Sequence, residues 1–523
     1  MKKYVLQFLF LIAFFINNSA FAESALEKSI NENFATYTGW FVSLIFAPLP
    51  GTEFPWIVLV LVIGAVLFSL YFGFVQFRWM RHSIRLVRGD FSNPNDAGEV
   101  SHFQALTTAL SSTVGLGNIA GVAVAISIGG PGATFWMILA GLLGMASKFV
   151  ECTLAVKYRI ESAEGKVSGG PMYYLAKGFK ERNLPFGGVL SFLFAIFCVL
   201  ASFGGGNMFQ SNQAHQQLTA VLGSYPSWIT GLVFAVLVFA VIVGGIKSIA
   251  RVSEKIVPFM AVLYVGTCLV ILVANAGAIG WAFGQIFEGA FTGLGVTGGF
   301  VGALIQGFKR AAFSNEAGVG SSAIAHAAVK TDKPVTEGFV ALLEPFIDTV
   351  IICTMTALVI IITGQLVIDP QTHLYVLNEA GHIQTVGGYS GVALTSAAFS
   401  SVFGWFPYVL MVAVVLFAFS TMISWSYYGL KAWTYLLGHS TKSEYAYKII
   451  FCLFSFIGAI VSLGPVIDFS DSVLFSMAVV NIVGLVFLMP IVKRELKEYK
   501  AGLLKDKNRK LKGSCNKDIV DKI

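Results

Sequence analysis

The amino-acid sequence predicts an all-α polytopic membrane protein, and three observations carry that prediction: the composition, the long apolar segments, and the distribution of basic residues between them. Hydrophobic residues make up 56% of the 523 residues and charged residues 12%, whereas soluble domains typically contain about 25% charged residues. So few charges cannot cover the surface of a soluble protein of this length. The composition therefore indicates a chain that lies mostly within a bilayer.

Eleven segments are apolar over enough length to cross a membrane as helices, a task that takes roughly 20 residues. We predict one span before a charged loop and ten further spans after it. The predicted spans are 56–77, 103–128, 133–157, 188–211, 227–246, 256–275, 296–325, 338–363, 405–429, 446–463 and 470–492.

The first 22 residues have the features of a secretory signal peptide. Lys2 and Lys3 provide the charged start, and the apolar stretch 4–16 is too short for an ordinary span. Ala20 and Ala22 then give a cleavage pattern of small residues. We predict a signal peptide at 1–22 and a periplasmic segment at 23–55, with an uncleaved first helix as the alternative.

Lys and Arg residues follow the odd-numbered spans, whereas the loops after the even-numbered spans, 129–132, 212–226, 276–295, 364–404 and 464–469, contain none. Because cytoplasmic loops carry the excess of basic residues, this alternation places the N-terminus outside and the C-terminus in the cytoplasm of a bacterial inner membrane. The net charge of +7 is largely explained by these loops and by the basic tail 493–523. We interpret the tail as charge near anionic lipid, with the bilayer rather than nucleic acid as its partner.

One pattern occurs twice: an apolar residue, Ser, three residues, Gly, one residue, Gly and a polar residue. It occupies 110–118 in the second predicted span and 313–321 in the seventh. The second copy lies five spans further along the count than the first, so the two copies cross the membrane in opposite directions. The sequence thus predicts two five-helix units, 103–275 and 296–492, related by an inverted repeat as in many secondary transporters.

Glycines at alternate positions weaken a regular helix by about 1 kcal/mol each relative to Ala. Unpaired backbone groups inside a bilayer cost several kcal/mol, so a broken helix persists there only where protein or ligand satisfies them. Freed N–H groups suit a carboxylate and freed carbonyls suit a cation. The alternative is that the glycines merely permit close helix packing.

At these residues the sequence resembles the alanine or glycine:cation symporter family, also called the sodium:alanine symporters. The resemblance covers residues from about 100 to 495 and rests on several long segments. These are residues 112–123, 129–133, 169–174, 313–318, 343–349 and 419–429.

The resemblance implies a LeuT-like fold of ten core helices, with 56–77 as an extra N-terminal helix. It also implies symport of alanine or glycine with Na+, which is the co-transported ion rather than a resident cofactor. An H+-coupled or uncoupled transporter of the same fold is the alternative, and a substrate sensor without transport is a further one. An intramembrane hydrolase acting through Ser111 or Ser314 is disfavoured, because neither serine has a His or Asp partner at a suggestive spacing; we therefore predict no enzymatic activity, and the oligomeric state stays open.

The first broken segment supplies one half of the predicted site. We expect the amides around Gly115, Gly117 and Asn118 to hold the substrate carboxylate, with side-chain contacts from Thr113 and Asn118. A helix cap is the alternative role of Asn118. The resemblance makes Gln210 a substrate contact, and an inter-helix hydrogen bond is its alternative.

The second broken segment and the ninth span supply the other half. Asn315 lies where the seventh helix should unwind, and the adjacent Glu316 either meets the cation or ammonium group or pairs with Lys309 or Arg310. The resemblance implies that the hydroxyls of Ser420 and Thr421, with backbone carbonyls of the second span, hold Na+; hydrogen bonds back to their own helix are the alternative. We expect Trp425, one turn away, to close the pocket as a bulky wall, with a core tryptophan as the alternative.

Overall fold

The computed structural model describes residues 23–520, apart from 94–95, 163–166, 293–298 and 373. The predicted signal peptide at 1–22 lies outside the described residues. Four helices precede the first predicted repeat. They are α1 (Glu23–Ile45), α2 (Trp56–Tyr71), α3 (Val75–Arg78) and α4 (Met80–Val87).

The region of the first predicted repeat consists of long helices interrupted by two π-helical segments. The only strands among the described residues form one short antiparallel pair. The elements are α5 (His102–Thr113), a π-helix (Gly117–Gly121), α6 (Val122–Gly129), α7 (Gly132–Lys157), β1 (Ile160–Glu161), β2 (Val167–Ser168), α8 (Pro171–Glu181), α9 (Gly187–Phe203), a π-helix (Gly204–Met208), α10 (Phe209–Leu222), α11 (Ser227–Ile242), α12 (Gly245–Ala274), a 3-10 turn (Ala276–Ala278) and α13 (Ile279–Thr292).

The second half has the same character and ends in the longest helix of the described chain. Its elements are α14 (Gly299–Asn315), α15 (Ala323–His326), α16 (Pro334–Ala341), α17 (Leu343–Pro345), a π-helix (Phe346–Cys353), α18 (Thr354–Ile362), a 3-10 turn (Val386–Gly388), α19 (Val392–Ser400), α20 (Phe406–Leu437), α21 (Thr441–Ile460) and α22 (Leu463–Val520).

Each predicted span contains helix within the described residues. By length and composition, seven helical stretches among those residues can cross a membrane, or eight when a bent pair counts as one span, and α2 and α11 are shorter apolar helices. The multi-span helical class is therefore confirmed, whereas the count of eleven stays a prediction. Helices α1, α8, α13 and α19 are not predicted, because they lie outside the apolar windows.

Close backbone packing joins α7 to the two helices around it. Gly307 of α14 faces Trp136 of α7 so closely that an added Cβ would lie 2.4 Å from the Trp136 Cβ. Gly338 of α16 likewise faces Thr153 of α7, with 2.1 Å between an added Cβ and the Thr153 Oγ1. Only glycine permits these approaches, so α7, α14 and α16 form one tightly packed bundle.

The basic loops lie at one end of the molecule. Arg159 donates hydrogen bonds to the carbonyl oxygens of Ala97 (2.7 Å) and Val329 (2.6 Å), and Lys157 pairs with Glu495 at 2.6 Å. We call this the basic end. At the opposite end, the amide of Ile383 donates to a carbonyl near the end of α6.

Candidate functional site

The first predicted break is present. Helix α5 ends at Thr113, and Val114 leaves helical geometry with ψ of 87°. The backbone resumes as the π-helix that begins at Gly117, and the two parts are bent by 50°. Helix breaks of this kind within a bundle free backbone groups for binding.

The second predicted break is also present. Helix α14 ends at Asn315, and the next residues turn through left-handed backbone, with φ of 55° at Glu316, 84° at Gly318 and 86° at Gly320. Glycine adopts this geometry readily, whereas a residue with a side chain does so at a cost of about 1–2 kcal/mol. Glu316 is held in this conformation at the centre of the break.

The two breaks meet and run in opposite directions. An added Cβ on Gly117 would lie 3.2 Å from the Cα of Ser314. The chain before α5 pairs with the chain after α15 through Val100 and Val329, while Gly129 at the end of α6 lies against Gln306 in α14. The start of one broken helix therefore lies beside the end of the other, as the inverted pattern predicts.

Asp348 ties both breaks to the π-helix Phe346–Cys353. Its carboxylate accepts hydrogen bonds from the Asn118 amide at 2.6 Å and from the Ser314 hydroxyl at 2.8 Å. The Thr349 hydroxyl donates to the same carboxylate at 2.7 Å and accepts from the Asn315 amide at 2.9 Å. All these groups are buried, so the network fixes the two breaks relative to each other.

A small cavity lies where the breaks meet. The volume open to the centre of a water molecule is about 10 Å³, which is room for about one water. An amino acid therefore requires its walls to move. The cavity is lined by Ser112, Thr113, Gly115, Gly117, Gly205, Gln210, Phe313, Glu316, Thr421, Trp425 and Leu474.

Trp425 and Glu316 form one wall of the cavity. The indole of Trp425 packs on Gly206, where an added Cβ would lie 2.4 Å from the ring, and its Nε1 donates to Glu316 at 3.0 Å. The alternative pairing of Glu316 with Lys309 or Arg310 is wrong. Both basic side chains pair with Asp471, so the Glu316 carboxylate is left facing the cavity without a cation bonded to it among the described residues.

Thr421 and Ser420 behave differently although they are adjacent. The Thr421 hydroxyl is buried, lines the cavity and has no hydrogen-bond partner among the described residues. An added Cβ on Gly115 would lie 2.4 Å from it, so the hydroxyl points at the first break. The Ser420 hydroxyl instead donates to the Phe417 carbonyl at 3.0 Å, within its own helix. A hard oxygen thus faces the cavity at Thr421, whereas Ser420 is not among the residues that line it and directs its proton into its own helix.

Two of the freed amides bond to side chains. The amide of Gly115 donates to the Asn118 side-chain oxygen at 2.8 Å, and the amide of Leu116 donates to Gln210 at 3.3 Å. Gln210 in turn donates to the Gly205 carbonyl at 2.9 Å. Asn118 therefore caps the break, as its alternative role requires, and Gln210 both bridges helices and faces the cavity.

The structure separates the predicted site residues into two groups. The cavity is lined by Thr113, Gly115, Gly117, Gln210, Thr421 and Trp425. Asn118, Asn315 and Ser420 lie behind it and hold the breaks or bond to their own helix.

Five lining residues are absent from the predicted set. The intramembrane carboxylate of Glu316 was a usable signal, and Phe313 lies inside the repeated pattern. Ser112 lies inside the first copy of that pattern. The other two, Gly205 and Leu474, are small or apolar residues that have no chemical signature in a sequence.

Oppositely directed broken helices around a buried cavity, within a bundle of apolar helices, define a secondary transporter rather than an enzyme. The sequence model described as the sodium:alanine symporter family matches residues 40–513. The chain belongs to the sodium:alanine symporter family.

Relatives and a solved structure agree with this membership. A sodium/alanine symporter of Methanococcus maripaludis is 41% identical over 443 residues, covering 84% of this chain and 93% of that protein. An amino-acid carrier protein of Bacillus subtilis is 35% identical over 378 residues, covering 71% of this chain and 77% of that protein. The crystal structure of MhsT in complex with L-phenylalanine covers 76% of this chain and 98% of its own with a TM-score of 0.51 at 14% identity, which shows the LeuT-like fold.

Proposed function

We propose that the protein imports a small neutral amino acid, alanine or glycine, together with Na+. The observation that carries the proposal is the juxtaposition of the two breaks around one cavity that offers a free hydroxyl, backbone groups and a carboxylate. The similarity to a sodium/alanine symporter over most of both chains supports the same substrate and ion.

The chemistry of the cavity lining supports a separate place for each part of the ligand. The amides of the first break, with Gln210 as an exchangeable acceptor, suit the substrate carboxylate. Glu316 suits the ammonium group, and Thr421 with carbonyls of the first break suits Na+. Phe313 and Trp425 are the bulkiest residues that line the cavity and would border the substrate side chain, which favours glycine or alanine over larger amino acids.

The cation also explains coupling. Na+ beside the carboxylate site raises the affinity for the zwitterion, and by linkage the zwitterion raises the affinity for Na+ to the same degree. An inward Na+ gradient then drives uptake as the carrier alternates access to the shared site.

Uptake of radiolabelled alanine into proteoliposomes tests this function. We expect accumulation above equilibrium under an inward Na+ gradient at equal pH on both sides. Accumulation driven by an H+ gradient in Na+-free buffer would favour the H+-coupled alternative. Equilibration without any gradient dependence would show an uncoupled transporter.

We also propose that the basic end faces the cytoplasm and that the N-terminus lies outside. The proposal is supported by the alternation of basic residues between loops. Single cysteines in a Cys515→Ser background test it, because the other cysteines described are buried. In intact cells, a membrane-impermeant maleimide should label Glu379→Cys and spare Lys180→Cys, both at exposed positions; the reverse pattern would invert the topology.

A further inference from the structure

A chain of ionisable side chains runs through the bundle from the basic end toward the cavity, and the proposed site does not account for it. It consists of His102, Glu337, His326, Glu344 and Lys148, and we call it the charged chain. His102 is 4% exposed and the other four are fully buried. Ionisable groups inside a membrane are costly and characteristically mark ion or proton pathways.

The contacts along the charged chain are continuous. His102 Nδ1 bonds to one oxygen of Glu337, whose other oxygen lies 2.5 Å from His326 Nδ1. His326 Nε2 bonds to Glu344, and Lys148 donates to Glu344 at 3.0 Å. Each member therefore contacts the next by a hydrogen bond along which a proton can pass.

His326 is the centre of the chain. Both of its ring nitrogens contact carboxylate oxygens, and a hydrogen bond at each nitrogen needs a proton. A neutral imidazole carries only one such proton, so a second one is held by the ring or by the carboxyl group of Glu337 or Glu344. An imidazole between two carboxylates takes a proton at one nitrogen and releases another from the second, which is how histidine shuttles protons.

The inner end of the charged chain lies one residue along the backbone from a side chain that bonds to the cavity wall. Lys148 donates to Ser322 at 2.5 Å, and the adjacent Ser321 donates to Glu316, which lines the cavity. Lys148 and Glu316 also attract each other electrostatically. The outer end lies at the basic end, because His102 is the first residue of α5, directly after the segment that pairs with Val329.

The neighbours of the charged chain add two further titratable groups on α7. Glu151 accepts a hydrogen bond from Asn481 of α22, and Cys152 lies within 4.8 Å of the His326 and Glu344 ligand atoms. From α8, Tyr174 faces Asn481 and not the chain. These groups border the path and do not interrupt it.

The charge of the empty carrier explains why a proton would have to be delivered to Glu316. When alanine and Na+ leave, the Glu316 carboxylate loses the ammonium group that faces it and keeps only the neutral donors Trp425 and Ser321. A carboxylate without a bonded cation is expensive inside a low-dielectric bundle. A proton delivered to Glu316 would remove that charge before the empty carrier reorients.

We propose that the charged chain is a proton relay that passes one proton from the cytoplasm to Glu316 in each cycle, in the direction opposite to alanine. The inference rests on the proposed symport. A cytoplasmic proton enters at His102, and each member of the charged chain gives one proton to the next and regains one. Lys148 gives the last proton to Glu316 by way of the Ser322 and Ser321 hydroxyls and regains one from Glu344. The Glu316 carboxylate becomes a carboxylic acid, and it releases the proton outside when Na+ and alanine bind again.

The proton flux of the wild-type protein tests the relay without any substitution. Proteoliposomes carry an entrapped pH-sensitive dye, equal pH on both sides, and a potential clamped with K+ and valinomycin. Addition of Na+ and radiolabelled alanine outside should make the lumen more alkaline as alanine enters. The sign holds for either orientation of the inserted protein, because exchange couples the fluxes in both.

A lumen that turns acid, or a constant pH with intact Na+-driven uptake, would overturn the relay and leave the symport standing. Absence of Na+-driven uptake in the same vesicles would overturn the symport and the relay with it. The two failures are therefore distinguishable.

Variants then locate the path. His326→Gln should abolish the alkalinisation of the lumen. It should retain alanine exchange at equal Na+ on both sides, because exchange does not require the empty carrier to reorient. The matched control is His82→Gln, since His82 also lies near the basic end but bonds to Tyr499 outside the charged chain; it should keep both activities. If His326→Gln does not fold, His102→Asn at the outer end should give the same separation, and proton flux unchanged in either folded variant would refute the path.

Discussion

Substitution of Gly115 by Ala tests the close approach of the first break to the Thr421 hydroxyl, on which the proposed site depends. The added Cβ would lie 2.4 Å from the Thr421 Oγ1 and 3.5 Å from the Gln210 Oε1. The first distance is far below van der Waals contact, so the methyl group must displace the hydroxyl assigned to Na+ and fill a cavity with room for about one water molecule. Overpacking of this kind costs about 1–3 kcal/mol.

That cost converts to a loss of roughly 5- to 140-fold in affinity, at about 1.4 kcal/mol for each tenfold change. We expect Gly115→Ala to raise the KM for alanine and the half-activating Na+ concentration together, because one methyl group meets both ligands. The assay is radiolabelled alanine uptake in proteoliposomes over a matrix of alanine and Na+ concentrations.

Gly121→Ala is the matched control. Gly121 lies in the same broken helix with φ of −63°, and an added Cβ would meet nothing within 4 Å. Uptake by this variant should resemble that of the wild type. Wild-type uptake kinetics in Gly115→Ala, or an equal loss of uptake in both variants, would refute the assignment of the cavity as the shared site for alanine and Na+.

Three further predictions concern the walls and supports of the site. Thr421→Val should weaken Na+ activation by about 10- to 140-fold, because loss of a hydroxyl that binds a charged group costs about 1.5–3 kcal/mol. Ser420→Ala should have little effect, and equal effects of the two variants in Na+ titrations of uptake would contradict the distinction. Asp348→Asn should lower both the thermal unfolding midpoint and alanine uptake, because the buried side chain that joins both breaks loses its charge-assisted hydrogen bonds. An unchanged unfolding midpoint would contradict the structural role of Asp348. Trp425→Ala should admit larger amino acids, measured as new competition against labelled alanine, while Trp425→Phe should keep the exclusion and lose only the bond to Glu316.

The sequence was sufficient to predict the multi-span helical class, both helix breaks and their opposed directions. These features follow from hydrophobicity and from glycine, which act locally. The helices α1 and α13 were not predictable in the same way, since they are amphipathic or short and their apolar faces pack on neighbours rather than forming an apolar window.

The site was predictable only in part, for a related reason. Residue types showed that Asn118 and Ser420 are polar groups in a membrane, and polar groups there need partners. Which partner each one finds depends on tertiary contacts: Asn118 turns to Asp348 and Ser420 to its own helix, whereas Thr421 faces the cavity. Spacing alone does not distinguish adjacent hydroxyls on one helix.

The charged chain illustrates the same limit. His102 and His326 lack the sequence spacing of a metal site. Their acidic partners lie between 11 and 235 residues away along the chain, with no regular spacing. Only the packing of α5, α7, α15, α16 and α17 brings them into one row.

Reciprocal binding is the most direct measurement of the central claim that the zwitterion and Na+ share the cavity between the two breaks. Alanine affinity is measured as a function of Na+ in the purified protein, and Na+ affinity as a function of alanine. We predict that each ligand tightens the other by the same factor, and that Gly115→Ala diminishes this factor. Alanine binding that is independent of Na+ would contradict the account.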